Sequence, residues 1–394
     1  MRNRWLGTGL LAVSVTLVAC GEERADAPQE AAAGAQSTAD PAALVGPGDD
    51  GEVDTEAFRR ATGPRGFRFP EDHGPHPDYR HEWWYVTGNV EDDGGRHFGF
   101  QVTFFRFAAP PSEGERTSAW ATRQLWMAHL AVTDTEAGAF HHEERFARGA
   151  LGLAGAEAKP FRVWLEDWEL TGKEGGFESL QAHLDGEDIG IALELVQEKP
   201  LVFQGEEGYS RKGPDPGDAS YYYTAPRLRA EGRIRTPEGE HQVRGTAWLD
   251  REWGTSTLAD DQVGWDWFAI QLEDGRELMF YHLRRADGSI DPRSKGGWVD
   301  AAGNHRTVDR EAVELQVLEE WKAPDGLARY PSKWRLRYPE EGLDLLVEPV
   351  LADQELRGMF RYWEGAVRVR GSDHDGSVRG VGYAELTGYA EDEP

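Results

Sequence analysis

The sequence predicts an all-β protein: two antiparallel β-barrel or sandwich domains in tandem. Three observations carry this. Apolar and polar residues alternate with period two along run after run, as strands with one face on a core require. The runs are bounded by Gly-, Asp- and Pro-rich clusters at hairpin spacing, and 47 Gly with 4 Met fits many turns between short strands. The second half of the chain also repeats the first, weakly and in order.

The elements follow from those patterns. Arg2 and Arg4 precede an apolar run over 6–18 that is short for a membrane-spanning helix and reads as a secretory signal. It ends Leu17-Val18-Ala19-Cys20-Gly21, which resembles a bacterial lipobox, so Cys20 is the expected lipidation site and the new N-terminus. Gly21 after that cysteine favours the outer membrane. Residues 21–62 are rich in Ala, Gly, Asp, Glu and Pro, cannot bury a core, and read as a disordered tether.

Order is expected from Phe67-Arg68-Phe69-Pro70 onward. In His81-Glu82-Trp83-Trp84-Tyr85-Val86-Thr87-Gly88 large aromatics fall on both faces, which suits a strand forming a wall between a ligand cavity and another layer. Asp92-Asp93-Gly94-Gly95 turns the chain into the aromatic run 98–106, and Glu82 and Arg106 are expected to balance each other among the rings. Further strands are read over 126–132, 161–170, 180–184 and 189–196, with a short helix over 143–153 and His141 and His142 in a loop.

The repeat divides the remainder. Trp265-Asp266-Trp267 and its following Asp and Gly echo Trp83-Trp84-Tyr85, and the stretch from Val243 to Asp250 matches that from Val378 to Glu385. The expected organisation is a signal over 1–20, the tether over 21–62, and domains over 63–256 and 257–394. A closed barrel has no exposed edges, and its interior is a natural cavity for an apolar ligand.

The candidate chemistry centres on Trp248-Leu249-Asp250-Arg251-Glu252-Trp253-Gly254 at the domain junction. A carboxylic acid among aromatic rings keeps its proton near neutrality and can donate it. Asp250, Glu252 and Asp266 are therefore the candidate acid–base residues. Trp83, Tyr85, Tyr222, Trp248, Trp253, Trp265, Trp267 and Tyr281 are the candidate ligand-binding rings, with Trp faces able to stabilise a cation. The competing structural reading pairs Arg251 with Asp250 or Glu252 in a salt-bridged corner. His129 reads as a hydrogen-bonded core histidine.

Exclusions narrow the function. A net charge of −28 argues against nucleic acid or an anionic membrane surface as partner. Cys20 is the single cysteine, so no intrachain disulfide is possible. No G-x-S-x-G elbow, P-loop or strand-to-helix G-x-G-x-x-G occurs, so neither a serine hydrolase nor nucleotide use is indicated, and no cofactor is expected. The spacing of Asp72, His73, His76 and His81 matches no closed metal site, and no metal is expected.

The stretch 72–88, together with Gln204-Gly205-Glu206-Glu207-Gly208-Tyr209-Ser210, Ser220-Tyr221-Tyr222-Tyr223, the Trp248–Gly254 segment and Tyr383-Ala384-Glu385-Leu386-Thr387-Gly388-Tyr389, resembles the AttH family of two-domain lipocalin-like proteins. That family includes the carotenoid hydratases (hydroxyneurosporene synthases), and the resemblance runs from about residue 66 to the C-terminus. It implies two lipocalin-like domains. In the hydratase pattern a His stands two residues before the Trp matched by Trp253, and a Tyr-x-Asp lies downstream. Tyr281 matches that Tyr, whereas Arg251 and Leu283 occupy the His and Asp positions. Three roles are open: an envelope lipoprotein, anchored to the membrane by its N-terminal lipid, that binds a lipid or isoprenoid-like molecule; a hydratase or cyclase/isomerase acting on such a molecule; or a non-catalytic envelope scaffold.

Overall fold

The computed structural model describes residues 57–109, 118–256 and 258–390. Cys20, the signal and nearly all of the tether lie outside the described residues. The protein is all-β, with helix confined among those residues to short 3-10 turns.

The first half gives β1 (His81–Asp92), β2 (His97–Ala108), β3 (Gln124–Asp134), β4 (Ala139–Arg148), β5 (Ala154–Ala158), β6 (Phe161–Leu165), β7 (Trp168–Gly172), β8 (Ser179–Asp185), β9 (Gly190–Gln197), β10 (Val202–Phe203), β11 (Tyr209–Arg211), β12 (Ala219–Thr236) and β13 (Gly239–Gly254). These form one 13-stranded antiparallel sheet in the order β4-β3-β2-β1-β13-β12-β9-β8-β7-β6-β5, with β10 and β11 added onto β12. The second half gives β14 (Gln262–Leu272), β15 (Glu277–Arg285), β16 (Lys295–Val299), β17 (His305–Asp309), β18 (Glu314–Lys322), β19 (Arg329–Tyr338), β20 (Leu343–Pro349), β21 (Glu355–Arg357), β22 (Arg361–Ser372) and β23 (Ser377–Leu386). Its 10-stranded sheet runs β17-β16-β15-β14-β23-β22-β20-β19-β18, with β21 added onto β22.

Each sheet curls over its own core, and each is barrel-like without a ladder joining its two ends among the described residues. Side chains pack the interior of each sheet. Trp84, Val86, Phe100 and Phe104 meet Leu170, Leu180 and Leu193 inside the first sheet. Phe268, Phe280, Trp334 and Trp363 do the same in the second. Burial of such side chains is the main favourable term in folding. Two glycines show how the strands fit. Gly95, at φ +84, closes the β1–β2 turn, and a Cβ on Gly88 would strike the Phe100 ring.

The two sheets belong to one compact unit. Asn89 Nδ2 donates to the Gly382 carbonyl at 3.0 Å, and Gln271 Nε2 donates to the carbonyls of Pro226 and Ala247 at 2.8 and 2.9 Å. Buried Glu277 on β15 accepts from Lys199 Nζ at 2.7 Å and from Arg227 Nε at 2.5 Å.

Two local expectations are corrected. The proposed helix over 143–153 is largely strand β4, which also takes His141 and His142 out of a loop, because Ala139–Arg148 pairs along the whole of β3. The run 161–170 is two strands, since Glu166 turns the chain at φ +57.

Candidate active site between the two sheets

Period two decides which face each residue takes. On β13, Trp248, Asp250 and Glu252 point toward the second sheet, while Leu249, Arg251 and Trp253 point into the core of the first. On β1, Trp83 and Tyr85 face outward and Glu82 and Trp84 inward. The outward set meets the matching faces of β14, β15, β22 and β23 in a cavity of about 100 Å³. Its wall includes Trp83, Tyr85, Tyr222, Asp250, Glu252, Trp265, Trp267 and Tyr281, all predicted from sequence. Phe105, Phe107, Met127 and Phe360 complete its apolar part.

Three predicted residues lie elsewhere. Asp266 sits between Trp265 and Trp267 and so faces away, accepting from Arg284 Nε at 3.0 Å and from the Tyr389 hydroxyl at 2.8 Å. Burial raises its pKa against the pull of Arg284. Trp253 is in the first core, its indole stacked on the His76 ring at 3.8 Å. Trp248 does not line the cavity, although its Nε1 donates to Asp250 Oδ1 at 2.9 Å.

The salt-bridged corner also takes a different form. Arg251, completely buried, pairs with Glu82 rather than with its sequence neighbours, and its guanidinium lies 3.9 Å from the Trp84 ring. Glu82 bridges Arg251 and Arg106, as expected for Arg106. Burial penalises the Glu82 charge, but the two guanidinia outweigh it and hold the carboxyl well below its usual range. Of the Asp/His cluster, Asp72 pairs with His76 and Arg65. His73 stacks on Phe177 and hydrogen-bonds the Tyr223 hydroxyl at 2.8 Å.

Asp250 is the best-furnished group in the cavity. Its carboxylate accepts from Thr224 Oγ1 at 2.6 Å, the Tyr222 hydroxyl at 2.7 Å and Trp248 Nε1 at 2.9 Å. Burial nevertheless outweighs these donors and pushes its pKa up to about 7, with the Glu252 charge adding to the rise. Glu252 lies 3.2 Å from Lys212 Nζ and accepts from the Ser220 hydroxyl. Lys212 is itself 4.5 Å from the Tyr281 ring centre. Burial works against its charge, but Glu252 keeps its pKa above the usual value.

Two further acids, Glu364 and Glu385, face the cavity, and sequence reasoning did not place them there. They are cross-strand partners on β22 and β23. Glu385 accepts from Trp265 Nε1 at 3.0 Å. Burial, with the charges of Asp250 and Glu252, pushes its pKa up to about 8. Burial and the neighbouring Glu385 drive Glu364 well above the carboxylate range. The hydroxyls of Tyr85 and Tyr362 lie alongside Glu364 and favour its charged form, but neither reaches hydrogen-bonding geometry with it. His129, placed from sequence in a core, lines the same wall and joins the Tyr362 hydroxyl at 2.7 Å to Glu144 at 2.9 Å.

The repeat carried the missing signal. It aligns Asp250 with Glu385 and Tyr85 with Trp267, and the registers agree: Tyr85 lies opposite Asp250, and Trp267 opposite Glu385. On the other flank Thr224 lies opposite Asp250, and Glu364 opposite Glu385. The cavity is thus faced by two equivalent rows, one from each half.

The AttH-like family profile matches residues 60–389. An AttH protein of Nitrosomonas europaea is 35% identical, covering 84% of this chain and 100% of that one, with a TM-score of 0.74. Kievitone hydratase of Nectria haematococca shares the fold at 14% identity and a TM-score of 0.64, covering 84% and 98% of the two chains. CghA does so at 14% and 0.51, covering 86% and 97%. No curated protein sequence matches the chain. With the profile spanning nearly all of the described residues, the chain belongs to the AttH-like family.

Proposed function

We propose that this protein is an acid–base catalyst of the hydratase type, adding water to an unsaturated, largely apolar small molecule held between its two sheets. The observation that carries the reading is Asp250: a fully buried carboxyl among aromatic rings, with its pKa near 7. Such a group keeps a proton at neutral pH and can deliver it to a carbon–carbon double bond. The positive charge left on carbon faces the indoles of Trp83 and Trp267. Water then attacks that carbon and gives up a proton to Glu252, whose charge Lys212 balances at 3.2 Å. One C–H and one C–O bond form, the double bond is consumed, and the proton returns from Glu252 to Asp250. An intramolecular double bond attacking in place of water forms a C–C bond and a new cation, which loses a proton to Glu252 to give a cyclised isomer. Kievitone hydratase shows that this fold can carry a hydratase. We further propose that the protein acts in the bacterial cell envelope, tethered to the outer membrane through a lipid on Cys20.

The test begins with mass spectrometry of an organic extract of the protein purified from its own membranes. The enriched compound is then incubated with fresh protein in ¹⁸O-water. A product heavier by one labelled water supports hydration. Asp250→Asn is expected to retain the compound and to lose turnover by about 10²–10⁴-fold. Turnover by Asp250→Asn within threefold of the wild type refutes the assignment. A binding role is the second reading, favoured by the apolar wall of Phe105, Phe107, Met127 and Phe360. It is what remains if the compound is retained unaltered.

A further inference from the structure

The acids lining the cavity outnumber its cations. Lys212 is matched by Glu252, and His129 is engaged by Glu144 and Tyr362. Asp250, Glu364 and Glu385 also line the cavity, yet none of them forms an ion pair among the described residues. Neither buried oxygen of Glu364 has a donor in hydrogen-bonding geometry, although the Tyr85 and Tyr362 hydroxyls lie alongside, and the residue is 0% exposed. A buried carboxylate without a donor or counter-charge is costly, so such a site is either held protonated or completed by something that enters. The hydroxyls of Tyr85, beside Glu364, and of Tyr383 are likewise outside hydrogen-bonding geometry. Beside the two glutamates, the rings of Tyr85 and Trp267 meet 5.4 Å apart at 87°. Packed aromatic rings beside paired acids form a wall that attracts a hydrophobic ammonium group.

We propose that the ligand of this cavity carries a positive nitrogen, as a hydrophobic tertiary or quaternary ammonium compound, with its cationic head between Glu364 and Glu385 and against Tyr85 and Trp267. The assignment rests on the proposed site and names the class of molecule it takes. Asp250 and the Lys212–Glu252 pair remain at the opposite row to act on the apolar part.

Phenyltrimethylammonium and its uncharged carbon isostere, tert-butylbenzene, test this directly by titration calorimetry. The cation is expected to bind at least tenfold more tightly. Binding at pH 7 should also release toward one proton, read by comparing phosphate with Tris buffer, because Glu364 and Glu385 hold a proton that the ammonium displaces. The other titratable groups lining the cavity are Asp250, Glu252, Lys212, His129, Tyr85, Tyr222, Tyr281 and Tyr362, with Tyr383 near Glu364. Glu364→Gln and Glu385→Gln should each weaken the cation at least tenfold and leave tert-butylbenzene within twofold; the proton-release arm needs no variant. Equal or tighter binding of tert-butylbenzene, cation binding without proton release, or binding of neither probe overturns the proposal. A cavity that takes only tert-butylbenzene leaves the acid–base reading intact. Cation binding with proton release in a protein whose Asp250→Asn variant turns over normally leaves this proposal and removes the other.

Discussion

Replacing Glu385 by Gln should stabilise the protein at alkaline pH, the reverse of the usual outcome of substituting a core residue. The carboxyl ionises near 8 in the folded protein against 4.5 in an ordinary setting. At about 1.4 kcal/mol per pH unit, its charged form disfavours the fold by about 5 kcal/mol. Glu364 shares that cost, so the part removed by one substitution is about 2–5 kcal/mol. The sign follows from proton binding. Below pH 4.5 both the folded and unfolded chains hold the proton, and Glu385 contributes no penalty. Between 4.5 and 8 the folded protein keeps a proton that the unfolded chain has lost, so stability falls as pH rises, and above 8 the loss is complete. Gln keeps an oxygen to accept from Trp265 Nε1, a bond of 3.0 Å in the wild type, so no packing is sacrificed. Urea unfolding followed by tryptophan fluorescence at pH 5, 7 and 9 measures the difference. The gap between variant and wild type should widen across that range. A variant no more stable than wild type at pH 9, or a gap that stays constant from pH 5 to 9, refutes the reasoning.

Other expectations follow from the same accounting of charge. Glu82→Gln leaves Arg106 and Arg251 buried with their shared counter-charge gone, and should cost about 3–5 kcal/mol in urea unfolding at pH 7; a loss under 1 kcal/mol contradicts the network as described. Glu277→Gln strips the partner of Lys199 and Arg227 where the two sheets meet, and a destabilisation of about 3–5 kcal/mol is expected by the same measurement. Turnover of the compound recovered from the native protein should decline above pH 7 as Asp250 ionises. A rate that stays level from pH 7 to 9 would assign the proton to another group.

Much of the site was legible because a strand has only two faces. Placing Trp83 and Tyr85 on one side of β1 and Asp250 and Glu252 on one side of β13 needs only alternation, and the structure brings these four together. The same rule separates Asp266 from Trp265 and Trp267, a consequence that grouping the three by proximity overlooked. Arg251 shows where one strand is insufficient. Its neighbours in sequence are acids, but its partner Glu82 comes from the adjacent strand, and only the register reveals that Trp84 and Arg251 lie opposite each other. The barrel interiors raise a different point: alternation says that a face is buried, not whether side chains or a ligand bury it. Glu364 gave no local sign, since a lone Glu between Trp363 and Gly365 reads as a turn or an exposed strand position. Glu385 did give one, as the acid that closes the second copy of the repeat.

The duplicated rows have a consequence for direction. A cavity faced by equivalent strands from two halves is nearly two-fold in shape, with Tyr85 and Asp250 answered by Trp267 and Glu385. An elongated molecule therefore finds comparable apolar contact whichever end enters first, and shape alone does not choose between the two. The choice falls to positions where the halves differ: Glu364 lines one row while its counterpart Thr224 does not reach the cavity, and Glu252 with its Lys212 stands against Thr387. In the proposed reaction, a few side chains would then decide which end of the molecule meets the proton and which of two regioisomers forms. The rest of the enclosure can drift, so long as it stays apolar, without reversing the outcome.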